Sequence, residues 1–165
     1  MSERPGDLLV LGIGNVLMGD EGVGVHFIHH LEKDNHQLPA DVDLLDGGTS
    51  GLLLMQYLEE YPYVILIDAT LDHNPPGTIR LTEPKFAKDF PTAMSTHEIG
   101  LKDLIENLCL LDKMPRISLF LVSVANISNL HVGLSKRVEN TIPLLHDLVV
   151  RKVNEIERIF EVVNH

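Results

Sequence analysis

Short unbroken apolar runs alternate with longer amphipathic stretches along this chain, and that alternation predicts buried strands followed by helices. Residues 8–13 (LLVLGI) read as a strand ending in glycines, and an amphipathic helix is predicted from about 22 to 33. Residues 42–46 (VDLLD) repeat the arrangement: a strand, the segment GGTSG, then an apolar helical stretch over about 51–60. The run YVILIDA at 63–69 is apolar on both faces and rich in β-branched residues, which places it in the middle of a sheet. A further strand, TIRLT at 78–82, follows the turn sequence NPPG, and its short return predicts an antiparallel or edge position. A helix over about 96–111, a strand at 117–124 (ISLFLVSV) and a terminal helix over 135–163, interrupted or kinked near Pro143, complete the pattern. The expected fold is α/β: a three-layer α/β/α sandwich on a twisted, mostly parallel sheet of about five strands, with residues 1–165 as one domain.

Such a sheet binds ligands beyond the carboxyl ends of its strands, so polar residues placed there outrank others of the same type. Glu21 lies in the loop after the first strand, Asp46 ends the second, Asp68 ends the third, and His97 opens the helix before the last strand. Asp68 carries the most information, because a carboxylate inside VILIDA is costly to bury unless a positive or hydrogen-bonding group meets it. A helix cap or loop anchor is the structural alternative. His97 stands in STHE, where Ser95 and Glu98 have capping-box spacing, so the imidazole projects from a first helical turn whose dipole disfavours imidazolium. A neutral histidine there suits metal ligation or general-base work; an exposed or structural histidine is the alternative. Glu21, with Asp20, also fits an acidic first turn that complements the helix dipole.

Charge narrows the partners. The chain has 13 lysine and arginine residues against 24 aspartate and glutamate, a formal net charge of −11, and little of the basic surface that nucleic acid requires. No nucleic-acid partner is expected. The start MSERPGD is polar and no apolar run approaches the roughly 20 residues of a membrane span, so a cytoplasmic location without membrane insertion is expected.

The single cysteine, Cys109, excludes an internal disulfide and a paired-cysteine zinc site, leaving histidine and carboxylates as metal donors. It shares an apolar helix face with Leu101, Leu104, Ile105 and Leu108, and so reads as core rather than nucleophile. Neither a G-x-S-x-G elbow nor HExxH occurs, which weighs against serine hydrolases and zincins. His26, His29 and His30 have spacings able to hold a metal on a helix. Gly24, Phe27, Ile28 and Leu31 form the apolar face of that helix, however, and the three histidines are expected to be solvated.

Gly12, Gly14, Gly22 and Gly24 indicate a tight turn and close backbone approach, for which the dinucleotide fingerprint G-x-G-x-x-G is the competing explanation. Leu17 occupies its third glycine position, where a side chain obstructs close helix packing, and Asp20 and Glu21 set negative charge near a pyrophosphate. Asp46 at the end of the second strand keeps a nucleotide-binding module as a weaker alternative.

The segments LVLGIGNVLMGDEGVGV (9–25), LLDGGTSG (44–51), ILIDA (65–69) and STHEIGLKDLI (95–105) together resemble the nickel-iron hydrogenase maturation proteases in content, order and spacing. LVSV (121–124) and HVGLSKRVE (131–139) are similar to that family's last strand and the start of its terminal helix, so the likeness spans nearly the whole chain. The resemblance implies that Glu21, Asp68 and His97 ligate a metal, and that Asp46, with Gly47, Gly48 and Thr49, matters for substrate processing. It further implies an endopeptidase, aspartic-type or metal-dependent, that removes the C-terminal extension of a nickel-iron hydrogenase large-subunit precursor. The nickel would be carried by that precursor. Two carboxylates and an imidazole agree with this chemistry, since a mixed oxygen and nitrogen donor set leaves coordination positions open. Whether a carboxylate or the metal activates the water stays open, and a non-catalytic nickel-binding maturation factor is the alternative with the same ligands.

Overall fold

The computed structural model describes residues 6–34, 37–91, 94, 101–125 and 130–165. Five strands form one sheet among them: β1 (Leu8–Ile13), β2 (Val42–Gly48), β3 (Tyr63–Thr70), β4 (Ile79–Thr82) and β5 (Arg116–Ser123), in the order β2-β1-β3-β5-β4. β1 runs parallel to both β2 and β3, β3 parallel to β5, and β4 antiparallel to β5 at the edge. The apolar run at 63–69 is therefore the central strand, buried along its whole length, and the short strand after NPPG is both antiparallel and at an edge.

Side-chain alternation along β3 divides the core in two. Tyr63, Ile65, Ile67 and Ala69 face α1 (Val23–Lys33) and α5 (Ile142–Val163), whose Phe27, Ile28, Leu31, Leu145, Val149 and Val153 fill that layer. Val64 and Leu66 face α2 (Met55–Glu60) and α3 (Leu101–Leu110), which contribute Leu58, Leu104, Ile105 and Leu108. Each fully buried large apolar side chain contributes roughly 1.5–3 kcal/mol relative to exposure, which is ample reason for a helix to dock on each face. This is the expected three-layer α/β/α arrangement. From β1 the chain crosses to β2 on one side and returns to β3 on the other, so right-handed crossovers place α1 and α2 on opposite faces. The carboxyl ends of β1 and β3 thus flank a topological switch point.

One helix expectation changes and another is resolved. The second helix, over 51–60, is a 3₁₀ turn at Gly51–Leu54 that leads into α2. The terminal stretch is interrupted near Pro143, not kinked: α4 (Lys136–Glu139) ends at Asn140, and Pro143 lies in the first turn of α5. A first turn tolerates proline because its N–H groups lack intrahelical acceptors, so Pro143 starts a helix instead of bending one. The first five residues of the helix expected over 96–111 lie outside the described residues. Among the described residues no helix is long and apolar enough to cross a membrane.

Candidate active site

After β1 the backbone takes a left-handed conformation at Gly14 (φ +136°), where a Cβ would overlap the carbonyl of Glu21. A 3₁₀ turn at Gly19–Gly22 then delivers the chain into α1. Gly24 seats the first turn of α1 on the sheet, since a Cβ there would collide with the backbone carbonyls of Ile67, in the second half of β3, and Ile13, at the end of β1. Leu17, expected to obstruct this approach as the third fingerprint position, points outward and is 56% exposed. The loop makes its close contacts through glycines further along.

This packing turns Glu21 inward, with no exposed surface. Its neighbour Asp20 does different work: its carboxylate accepts hydrogen bonds from the Ser135 backbone N–H (2.6 Å) and hydroxyl (2.7 Å), fixing the start of α4. The loop is tied to the same segment by backbone bonds from Gly19 N–H to His131 O (2.6 Å) and from His131 N–H to Leu17 O (3.0 Å). Of two adjacent acids, one is a tether and the other is buried beside the strand ends. The tether links residues 115 apart, and HVGLS in the sequence was its sole signal, through family likeness.

Asp68, also with no exposed surface, stands opposite Leu121 of β5 and shares strand parity with Val64 and Leu66, so it faces the α2/α3 layer. The turn carrying Glu21 packs against β3. Two carboxylates are thereby withdrawn from water around one switch point, an arrangement that stands only when positive charge or hydrogen-bond donors compensate it. Two residues beyond Asp68, Thr70 forms an antiparallel bridge with Met94. His97 itself, with Ser95 and Glu98, lies outside the described residues.

Asp46 lies on the face of the sheet opposite to Asp68. It shares parity with Val42 and Leu44 and faces α1, where its Oδ2 lies 2.8 Å from His29 Nε2 and its Oδ1 accepts the Gly48 N–H (2.9 Å) in a tight turn. Gly48 is left-handed there (φ +47°), and Thr49 is exposed.

The three α1 histidines are not uniformly solvated. His29 is exposed, but His26 is half-buried with its Nε2 shielded, and burial followed by the proximity of His29 lowers its pKa. His30 packs edge-on against His146 of α5, its Nε2 3.0 Å from His146 Nδ1, and burial followed by His146 lowers its pKa too. A second covering helix, invisible in the periodicity of α1, makes the difference. Cys109 is likewise half-buried, its thiol 3.1 Å from Met114 Sδ, because the last turn of α3 reaches the margin of the core. It borders a cavity of about 480 Å³ with Tyr63 and Arg116 at the amino ends of β3 and β5, the opposite end of the sheet from Asp68.

A mostly parallel α/β/α sheet with a glycine-packed loop and two buried acids at its switch point defines a ligand-binding or catalytic domain rather than a scaffold. The family model described as hydrogenase maturation protease matches residues 25–152. The chain is 34% identical to the hydrogenase 2 maturation protease of Escherichia coli K12 over 90% of this chain and 91% of that protein. It is 42% identical to the hydrogenase expression/formation protein HupD of Rhodobacter capsulatus over 68% of this chain, but spans 54% of that protein's length. The solved structure of the hydrogenase maturating endopeptidase HybD from E. coli superposes with a TM-score of 0.79 at 32% identity, covering 90% of this chain and 92% of that one. This chain belongs to the hydrogenase maturation protease family.

Proposed function

We propose that the protein is a cytoplasmic endopeptidase that removes the C-terminal extension of the nickel-loaded precursor of a nickel-iron hydrogenase large subunit. The observation that carries this reading is the burial of Glu21 and Asp68 around one switch point, in a chain whose relatives are named maturation proteases. Their donor set fits a borderline divalent ion: two carboxylate oxygens and, from His97, one imidazole nitrogen, with further positions left for the ion's existing ligands. Met94, three residues before His97, is bridged to Thr70, two residues after Asp68, which supports the same grouping. The nickel is part of the substrate, and the three residues receive it and so align the tail that follows.

Hydrolysis then adds water across one peptide bond. The water oxygen bonds to the carbonyl carbon, a carboxylate of the pair takes the water's proton, the C–N bond breaks, and the proton passes to the leaving amine. Asp46 and Thr49, exposed at and just beyond the end of β2, serve the processing of the same precursor. The test is incubation of the purified protein with nickel-loaded and nickel-free precursor, followed by C-terminal mass measurement. Shortening of the loaded precursor alone is expected. An unchanged mass would leave a nickel-binding maturation factor in its place.

A further inference from the structure

We infer that His30, Asp34 and His146 form a second cation site, apart from Glu21 and Asp68, that takes a divalent first-row transition ion of the zinc or nickel class. One ligand atom from each of the three residues lies within 4.8 Å of the others. His30 lies in the last turn of α1 and Asp34 is its C-cap, whose backbone N–H donates to the His30 carbonyl (3.0 Å), so the two stand together at the helix end. His146 comes from the first turns of α5 and is 6% exposed, so the site joins two elements whose ligands are over 100 residues apart in sequence.

The hydrogen bonding orients these donors. The amide oxygen of Gln37 lies 3.3 Å from His146 Nε2 and can only accept its N–H, the tautomer whose other nitrogen, Nδ1, keeps its lone pair and lies 3.0 Å from His30 Nε2. Metal-binding histidines are held in this way, with the distal nitrogen donating to a carbonyl or carboxylate. Metal–nitrogen bonds of about 2.0–2.1 Å place two adjacent imidazole nitrogens about 2.9–3.4 Å apart, depending on the angle between them. The observed separation is 3.0 Å, with the ring planes at 83°, so an ion enters between the rings with a small opening movement. On binding, the proton on His30 Nε2 moves to Nδ1 and each ring gives one lone pair. Asp34 contributes negative charge and water fills the remaining positions. Two imidazoles select against magnesium and calcium, which favour oxygen donors. The bound ion clips the end of α1, the helix that begins just after Glu21, to α5.

The test uses tag-free protein carrying Glu21→Gln, Asp68→Asn and His97→Ala, so that the proposed active site contributes no metal binding. Titration with Zn²⁺ and with Ni²⁺ is expected to show one tight ion per chain, shifted ring-proton signals from His30 and His146, and a Tm raised by about 5–10 °C at 100 times Kd. Adding His30→Ala, or Asp34→Asn with a smaller effect, should abolish or weaken the binding and the Tm rise. In the otherwise unaltered chain, His30→Ala should lower ion stoichiometry by one without preventing precursor cleavage. Absence of a stoichiometric ion in the first experiment, or binding that survives His30→Ala, would overturn the site and leave the histidine pair as a packing contact. Neither outcome bears on peptidase activity.

Discussion

Adjacent acids with the same sequence environment take separate roles in this loop. Asp20 spends its carboxylate on the start of α4, whereas Glu21 is buried beside the ends of β1 and β3. Asp68 enters the same region from the middle of the sheet, and one change tests its part most cleanly. Asp68→Asn keeps the side chain's shape and removes its charge. In the proposed reaction, precursor cleavage should fall by roughly 10²-fold or more, the usual range for losing an acid–base group. The domain should stay folded, as circular dichroism would show, so that the loss is one of chemistry and not of structure. Full cleavage by the variant, with its Tm unchanged, would remove Asp68 from the site. Asp68 was legible as a carboxylate at the end of an apolar strand. Which of Asp20 and Glu21 turns inward was not, since it depends on where Ser135 lies.

The seating of α1 on the strand ends connects fold to site. Gly24 lets the helix touch the carbonyls of Ile67 and Ile13, and Ile67 immediately precedes Asp68. Gly24→Ala forces the helix away from β1 and β3. Overpacking of this kind costs about 1–3 kcal/mol, which in a domain of this size corresponds to a Tm loss of about 2–12 °C. Cleavage should fall along with it, because Glu21 sits three residues upstream. A Gly24→Ala protein with unchanged thermal melting would show that the contact is loose. At this scale the pattern of apolar positions located each of the five strands among the described residues and predicted an antiparallel or edge position for β4. It placed a break in the terminal helix near Pro143 but left open whether the helix is interrupted or kinked, since the two differ only in whether a turn precedes the proline.

Across the whole molecule, α5 closes one face of the sheet and carries an ion pair to the segment after β4. Lys152 Nζ lies 2.7 Å from Glu83 Oε1 and 3.2 Å from Glu155 Oε1, with the lysine side chain 10% exposed. The Lys152 hydrogen bond is the largest influence on Glu83 and holds its carboxyl below the ordinary glutamate value of 4.5, despite an opposing contribution from burial. A depressed carboxylate pKa stabilises the fold above the unfolded value and loses that effect as pH falls through the folded one. Glu83→Gln should therefore lower Tm at pH 7, and the gap between variant and parent should close progressively below pH 4.5, where the parent's Glu83 takes up a proton. Thermal melts of both proteins across pH 3–7 check this; a gap independent of pH would show that the carboxylate's charge is not what stabilises the contact.

The sequence alone determined the layer order, the central strand, the loop after β1 and the family likeness, because hydrophobic period and turn residues are local properties that the backbone reads out over a few residues. Tertiary structure decided what stands across from what. Asp46 and Asp68 both lie toward the ends of parallel strands, yet parity sends them to opposite faces of the sheet. His30 reads as a solvent-facing helix residue until α5 arrives with His146, 116 residues later. Periodicity reports that a face is buried or exposed within its own element, whereas the identity of a partner across a packed interface follows from strand order and helix docking, to which every distant segment contributes.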